Sequence, residues 1–230
     1  MSLPQTSQPD PRTRTGAIGL ALAGILFVLY EFVAPREDQT TLEGAESWAS
    51  AAWSFAHIAA IIGLILIPLT YGALRGHFEG TRNEKTAFLA ATTGYIGSAL
   101  TISYYGAEVY GLKAIGARAV ADGDASLTEV GEAFRMDSVA ATIFAIGLAL
   151  IALAAILIAV AVWRSGTVNR WSAIPLAAAM VLYLPHFYFP YAGRLAWGVL
   201  VGLSALILAW AMFSARRPIN AEAAPQLQKA

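Results

Sequence analysis

MDSVAATIFAIGLALIALAAILIAVAVW, the stretch from Met136 to Trp163, holds one acid at its start and no further charge before Arg164. An α-helix rises 1.5 Å per residue, so about 20 apolar residues cross the roughly 30 Å of hydrocarbon in a bilayer. This stretch is longer than that, and it reads as a membrane span. Working outward, five more apolar stretches have sufficient length, from 16–34, 48–74, 84–112, 171–189 and 193–213. The expected fold is therefore all-α: a polytopic transmembrane six-helix bundle, with 136–163 as the fourth span. Residues 1–15 carry Pro4, Pro9 and Pro11 without apolar periodicity, and 215–230 are Ala- and Pro-containing with nothing to bury, so both read as disordered tails.

Composition agrees with a membrane protein. Hydrophobic residues make up 57% of the 230 and charged residues 13%, with a mean hydropathy of +0.59. The first apolar stretch follows Arg12 and Arg14 as a secretory leader would. It is too long for one, carries Glu31 near its end and lacks a small-x-small cleavage site before Pro35, so it reads as a retained span. The sequence has no cysteine, which excludes disulfides, thiolate metal sites, iron–sulfur clusters and covalently attached haem. No phosphate-binding glycine loop, HExxH pair or GxSxG elbow is present. There is also no basic patch for nucleic acid, and no lysine lies mid-span for a retinal Schiff base.

Orientation follows from the basic residues. Arg12, Arg14, Arg75, Arg82, Lys85, Arg164, Arg170, Arg216, Arg217 and Lys229 fall on the amino-terminal side, ten of the fifteen, against Arg36, Lys113, Arg118, Arg135 and Arg194. Both termini are expected in the cytoplasm. Four acids, Asp10, Glu79, Glu84 and Glu222, share that side, and the other eleven of fifteen make the outer face acidic.

With this topology Glu31, His57, Glu108, His186 and Arg194 all fall in the outer half of the bundle. Ionisable groups in hydrocarbon are costly and face a bundle interior or a water-filled cavity, so their convergence points to a site. Glu43, Ser47, Ser50, Ser54 and His57 recur at steps of three and four, which would line one face of a helix descending from the outer surface. Thr93, Thr101, Tyr104, Tyr105 and Glu108 approach from the third span, where Tyr104 and Glu108 are spaced to hydrogen-bond along the helix. His186 lies in the aromatic run Tyr183 to Tyr191, which reads either as an interfacial belt of anchors or as a helix end kinked at Pro185 that turns the imidazole inward, opposite His57. Arg194 is a snorkelling anchor, a counter-ion to Glu108 or Glu31, or an anchor for an anionic ligand. Glu31 and Glu108 can also be read as rim carboxylates that reach water. His77, among Arg75, Arg82 and Lys85, reads as solvated.

Two weaker patterns complete the reading. Asp122-Gly123-Asp124 followed by Ser126-Leu127-Thr128-Glu129 has turn and capping-box spacing for a helix running into the fourth span. As a calcium loop it lacks the glycine and the final acid. Gly198-Val199-Leu200-Val201-Gly202 has the small-xxx-small spacing that lets helices approach closely, either within the bundle or between copies in a homo-oligomer.

The turn Trp163-Arg164-Ser165-Gly166-Thr167-Val168-Asn169-Arg170-Trp171, leading into an Ala/Leu-rich stretch, resembles uncharacterised six-helix membrane proteins widespread in bacteria. The resemblance implies a bacterial cytoplasmic-membrane protein with no assigned activity, and it transfers no catalytic or binding residue.

Four functional classes remain open on the residues alone. The leading one is an outward-facing polar pocket for a small molecule, lipid headgroup or ion, lined by His57, Tyr104, Glu108, His186 and Arg194. The second is a haem or metal redox protein, with His57 and His186 as ligands and Glu108 as a further metal candidate. The third is an intramembrane enzyme acting on a lipid or isoprenoid, with Glu108 as general acid or base and His57 as its partner. The fourth is an ion-coupled transporter, for which matching interrupted helices in the two halves are expected and only Pro185 interrupts one.

Overall fold

The computed structural model describes residues 10–215. They form an all-α bundle of α1 (Pro11–Val33), α2 (Leu42–Ala49), α3 (Ala51–His77), α4 (Glu84–Asp122), α5 (Thr128–Arg135), α6 (Ser138–Ser165), α7 (Ile174–Val181), α8 (Tyr183–His186) and α9 (Tyr191–Phe213), with a 3₁₀ turn at Ala125–Leu127. Four of these, α1, α3, α6 and α9, are long and apolar enough to cross a membrane. The chain is a multi-pass membrane protein, and the expectation of six spans is corrected to these four helices.

The two stretches that fail do so for different reasons. The one at 84–112 lies within α4, whose 39 residues are ample in length but too polar, with Thr92, Thr93, Ser98, Thr101, Ser103, Tyr104, Tyr105 and Glu108 along it. The one at 171–189 is not one helix. It divides at Leu182 into the eight residues of α7 and the four of α8. Pro185 has no N–H to offer the Val181 carbonyl, and its ring crowds that oxygen, so the α-helical ladder is interrupted and resumes only with the His186 N–H on the Leu182 carbonyl at 2.8 Å.

The expected second span also breaks. Ser50 is extended, and its side chain caps α3 by accepting from the Trp53 N–H at 3.0 Å. The polar face from Glu43 to His57 is therefore split between two helices rather than continuous. The Ser126 capping box does not form either. Asp124 accepts from the Ser126 N–H, α5 stops at Arg135, and α6 starts on a separate cap in which Asp137 accepts from the N–H groups of Val139 and Ala140. At the amino end the helix begins at Pro11, where proline's missing N–H costs nothing. Part of the expected 1–15 tail is thus helical. The rest of that tail, and nearly all of 215–230, lie outside the described residues.

Alanine and glycine set how closely the helices pack. Ala17, Ala23, Ala56, Ala60, Ala87, Ala90, Ala154 and Ala155 are buried in one core with Phe27, Leu64, Tyr71, Leu148 and Ile158. Small side chains let backbones approach, which in lipid replaces the hydrophobic drive of a soluble core. On α9, a methyl group added to Gly198 would meet the Glu31 side chain at 3.0 Å, and one on Gly202 would meet Val28 at 2.6 Å. The 198–202 face is thus occupied by α1 within the bundle and is not open to a second copy. Met212 approaches Gly16, as does Ala73, so the start of α1 and the ends of α3 and α9 share one end of the bundle. The end of α1, the start of α3 and the start of α9 share the other.

The α4–α6 crossing brings backbone against backbone. A methyl group on Gly97 would lie 2.7 Å from the Gly147 carbonyl oxygen and 2.9 Å from the Ile151 nitrogen. Gly97→Ala should cost about 1–3 kcal/mol by overpacking against backbone. Gly106→Ala, on the same helix with nothing within 4 Å of the added carbon, should be neutral. Thermal unfolding in detergent measures both, and equal midpoints would contradict this packing.

Candidate functional site

A cavity of about 550 Å³ opens among the end of α1, the start of α3, the middle of α4, α5, the start of α6, α8 and the start of α9. His57, Tyr104, Glu108 and Arg194 line it, together with Arg36, Gln39, Arg135 and the rings of Tyr30, Trp53, Tyr105, Phe144 and Phe187. His186 is not on the wall. It sits behind it with no exposed surface.

His57 is oriented by its own helix. Its Nδ1 lies 2.9 Å from the Trp53 carbonyl oxygen, which only accepts, so Nδ1 carries the proton and a neutral ring presents Nε2 as an acceptor. The ring packs on Trp53 at 4.1 Å between centroids, with Tyr30 and Tyr105 on its other sides. Nε2 faces Glu108 Oε2 across 3.8 Å. That gap is too wide for a hydrogen bond.

Glu108 is held elsewhere. Arg135 donates Nε to Oε1 and Nη2 to Oε2, each at 2.8 Å, the bidentate fork that suits a carboxylate. The expected Tyr104–Glu108 bond along the helix is not made; the Tyr104 hydroxyl donates instead to the Arg135 carbonyl oxygen at 3.4 Å, and its ring stacks on Phe144. Arg135 also donates to the Gln39 side chain and lies over the Trp48 and Trp53 rings. Burial works against its charge, but the Glu108 carboxylate outweighs that and holds the guanidinium's pKa above its usual value.

A second cluster surrounds Glu31, whose side chain is fully buried. His186 Nε2 is 3.0 Å from Oε1, while Arg36 Nη2 and Arg194 Nε approach Oε2 at 2.5 and 3.5 Å. His186 donates Nδ1–H to the Tyr183 carbonyl and stacks on Trp197 at 3.9 Å. Between the clusters, the Tyr105 hydroxyl meets those of Tyr30 at 3.2 Å and Tyr183 at 3.1 Å, joining α1, α4 and α8 by three buried phenols.

Of the two counter-ions open to Arg194, the structure gives it Glu31. His57 and His186 do not face each other, since each directs Nε2 at a different carboxylate. Among the described residues no three of His, Asp and Glu gather as metal ligands, so the metal reading, with His57, Glu108 and His186 as ligands, has no coordinating cluster behind it. Sequence reasoning missed Arg135 and Arg36, which were only counted as outer charges. Nothing in the spacing links residue 108 to 135, since the connection between them reads as a turn and a capped helix running into the fourth span. His77 is also not solvated as expected; it is buried with Nε2 3.0 Å from the Thr167 hydroxyl.

No family model matches this chain, and neither a curated protein nor a solved structure is significantly similar to it. The reading of the site rests on its own geometry.

Arg135→Gln would leave Glu108 buried beside no cation, and removing one partner of such a pair costs roughly 3–5 kcal/mol. Glu108→Gln in the same chain should recover much of that loss, since no uncompensated charge then remains. Thermal melts of the two single variants and the double variant measure the coupling, and additive losses would contradict the pair. A pH effect is expected in the adjoining loop, where Asp38 accepts from the Thr40 N–H at 3.0 Å and its hydroxyl at 2.8 Å. These bonds hold its carboxyl below the usual aspartate value. A depressed carboxyl contributes stability above its unfolded pKa and loses it as pH falls through the lower folded value. Hydrogen exchange at Thr40 should therefore quicken, relative to the bundle, only below the ordinary carboxylate range, and Asp38→Asn should abolish that pH dependence.

Proposed function

We propose that this multi-pass membrane protein holds a small amphipathic molecule in the cavity, with its polar end toward His57 and Glu108 and its apolar body against Trp53, Phe144 and Phe187. One observation carries this reading. His57 Nε2 and Glu108 Oε2 face the same space 3.8 Å apart, two acceptors with no donor between them, on the wall of a cavity of about 550 Å³. A hydroxyl or amine donor on a ligand fits that notch, and the volume is that of an ordinary small-molecule pocket. The aromatic walls supply most of the contact area and the few convergent polar groups set orientation.

The cavity end is assigned to the outer side of a bacterial cytoplasmic membrane, with both termini cytoplasmic. Support comes from the opposite end of the bundle, where Arg12, Arg14, Arg75, Arg82, Lys85, Arg164 and Arg170 lie at helix ends and connections. At the cavity end, Arg36, Arg135 and Arg194 are instead drawn to carboxylates.

A catalytic variant of this reading assigns the base to His57 rather than Glu108. Both Glu108 oxygens are occupied by Arg135, whereas the His57 tautomer leaves Nε2 free to take a proton. Conversion of bound ligand that stops in His57→Ala but survives in Glu108→Gln would favour it over simple binding.

The test uses the full chain in nanodiscs of a zwitterionic lipid. Short-chain neutral, anionic and cationic amphiphiles are screened by thermal unfolding and by quenching of tryptophan fluorescence. At a hundred times Kd a ligand stabilises by about 2.7 kcal/mol, so at least one class should raise the midpoint by several degrees. Ala145→Trp, which fills the cavity from α6, should abolish the effect. If no class stabilises the protein, or Ala145→Trp responds like the native chain, the cavity is not a binding site.

A further inference from the structure

We propose that the ligand's charged group is an oxyanion, held where Arg36 and Arg194 converge, and that its binding requires the proton shared by Glu31 and His186. This rests on the cavity being a ligand site. It is drawn from a different set of residues than the His57–Glu108 notch.

Hydrogen-bond accounting fixes the charge of this wall. His186 donates Nδ1–H to the Tyr183 carbonyl, and its Nε2 meets a carboxyl oxygen of Glu31 at 3.0 Å. A carbonyl only accepts, and two lone pairs do not attract, so one proton must lie between Nε2 and Oε1. It belongs either to an imidazolium beside a carboxylate or to a carboxylic acid beside a neutral imidazole. The pair has zero net charge in both cases, and no water reaches it, since both side chains are fully buried.

Arg36 and Arg194 both approach Glu31 Oε2. With the neutral pair beneath them, two guanidinium charges remain uncompensated on the cavity wall. Neither has its donors filled. The Nε atoms of both are buried without a hydrogen-bond partner among the described residues. Arg36 makes one side-chain bond, to Glu31, and the guanidinium of Arg194 makes none, lying over the ring face of Phe187 with its Nε 3.5 Å from Glu31 Oε2. The other charges around the cavity do not cancel them, because Arg135 and Glu108 neutralise each other. Tyr30 and Tyr183 face the cluster from α1 and α8 with hydroxyls already engaged by Tyr105. Two cations with open donors, close together in a partly buried wall, make a site for a phosphate or carboxylate group.

The shared proton sets the strength of this site. Loss of it would leave a neutral imidazole beside an ionised Glu31, lower the wall to one net positive charge and place a full carboxylate within reach of both arginines. The oxyanion would then compete with Glu31 for the same donors. Affinity should therefore fall at alkaline pH once that proton is lost. Glu31→Gln, with no carboxylate to form, should lose that pH dependence.

The probes are octyl phosphate, inorganic phosphate and octyl glucoside, titrated into the full chain in zwitterionic nanodiscs by calorimetry across pH. Octyl phosphate should bind at least about tenfold more tightly than octyl glucoside. Arg194→Gln and Arg36→Gln should each lower its affinity by about that factor and lower octyl glucoside affinity much less. Arg194→Lys, which keeps the charge, should retain most of the affinity and guards against a folding defect in the glutamine variants. Octyl phosphate binding that exceeds inorganic phosphate binding assigns the oxyanion to an amphiphile, and equal binding assigns it to a free anion. Equal affinities for octyl phosphate and octyl glucoside would overturn the oxyanion site while leaving the cavity reading intact. Failure of all three probes would count against both. A flat pH profile in the native chain would overturn the role of the shared proton.

Discussion

Glu31 and Glu108 are carboxyl groups placed where water scarcely reaches, and each is tolerable there only because polar partners meet it: the Arg135 fork at Glu108, and at Glu31 the proton shared with His186 together with Arg36 and Arg194. An isolated carboxylate in such surroundings costs more than any single packing interaction returns, so the pairing is a condition of the fold rather than an ornament on it. All the partners but Arg36, five residues from Glu31, come from far along the chain. Arg135 closes on Glu108 from the end of α5, while Arg36 and Arg194 reach Glu31 from the loop after α1 and the first turn of α9. Satisfying two charges therefore fixes the loop carrying Gln39, the short α5 and the start of α9 around one space. The cavity is what lies between these elements once the pairs have formed.

His57 and His186 follow one rule to different ends. Each donates Nδ1–H to a backbone carbonyl three or four residues earlier, each packs against a tryptophan ring, and each turns Nε2 toward an acid. At His186 the acid is within hydrogen-bonding distance, and the pair closes on itself out of reach of ligand. At His57 the acid is already spoken for by Arg135, and the gap is left for something else. Three phenols from α1, α4 and α8 tie the two arrangements together through Tyr105.

Much of this was legible in the residues. Polar groups in apolar stretches pointed to His57, Glu108, His186 and Arg194 before any coordinates, because hydrocarbon makes such residues conspicuous. What a single chain does not display is pairing. Arg135 sits in a polar segment where an arginine is unremarkable, and its importance appears only when Glu108 is opposite it. The number of crossing helices was misjudged for a related reason. Length and an apolar average drew attention to 84–112 and 171–189, yet the threonines, serines and tyrosines of α4 and the proline at 185 carry the local information that those stretches differ from Met136 to Trp163. Likewise Ser50 looked like one more polar position on a helical face, when its side chain is a cap that ends one helix and starts the next.

The absence of cysteine from the sequence allows a direct test of the cavity, because every introduced thiol is the only one. Single cysteines at Ala145 on the cavity wall, Leu153 on the outward face of α6 and Ala154 in its buried core can be challenged in membranes with a charged, membrane-impermeant thiol reagent. The account predicts that Ala145→Cys reacts while Leu153→Cys and Ala154→Cys stay unmodified, since only the first faces a polar space that admits water. Equal protection of all three would contradict it, and would mean that the convergent charges enclose no accessible site.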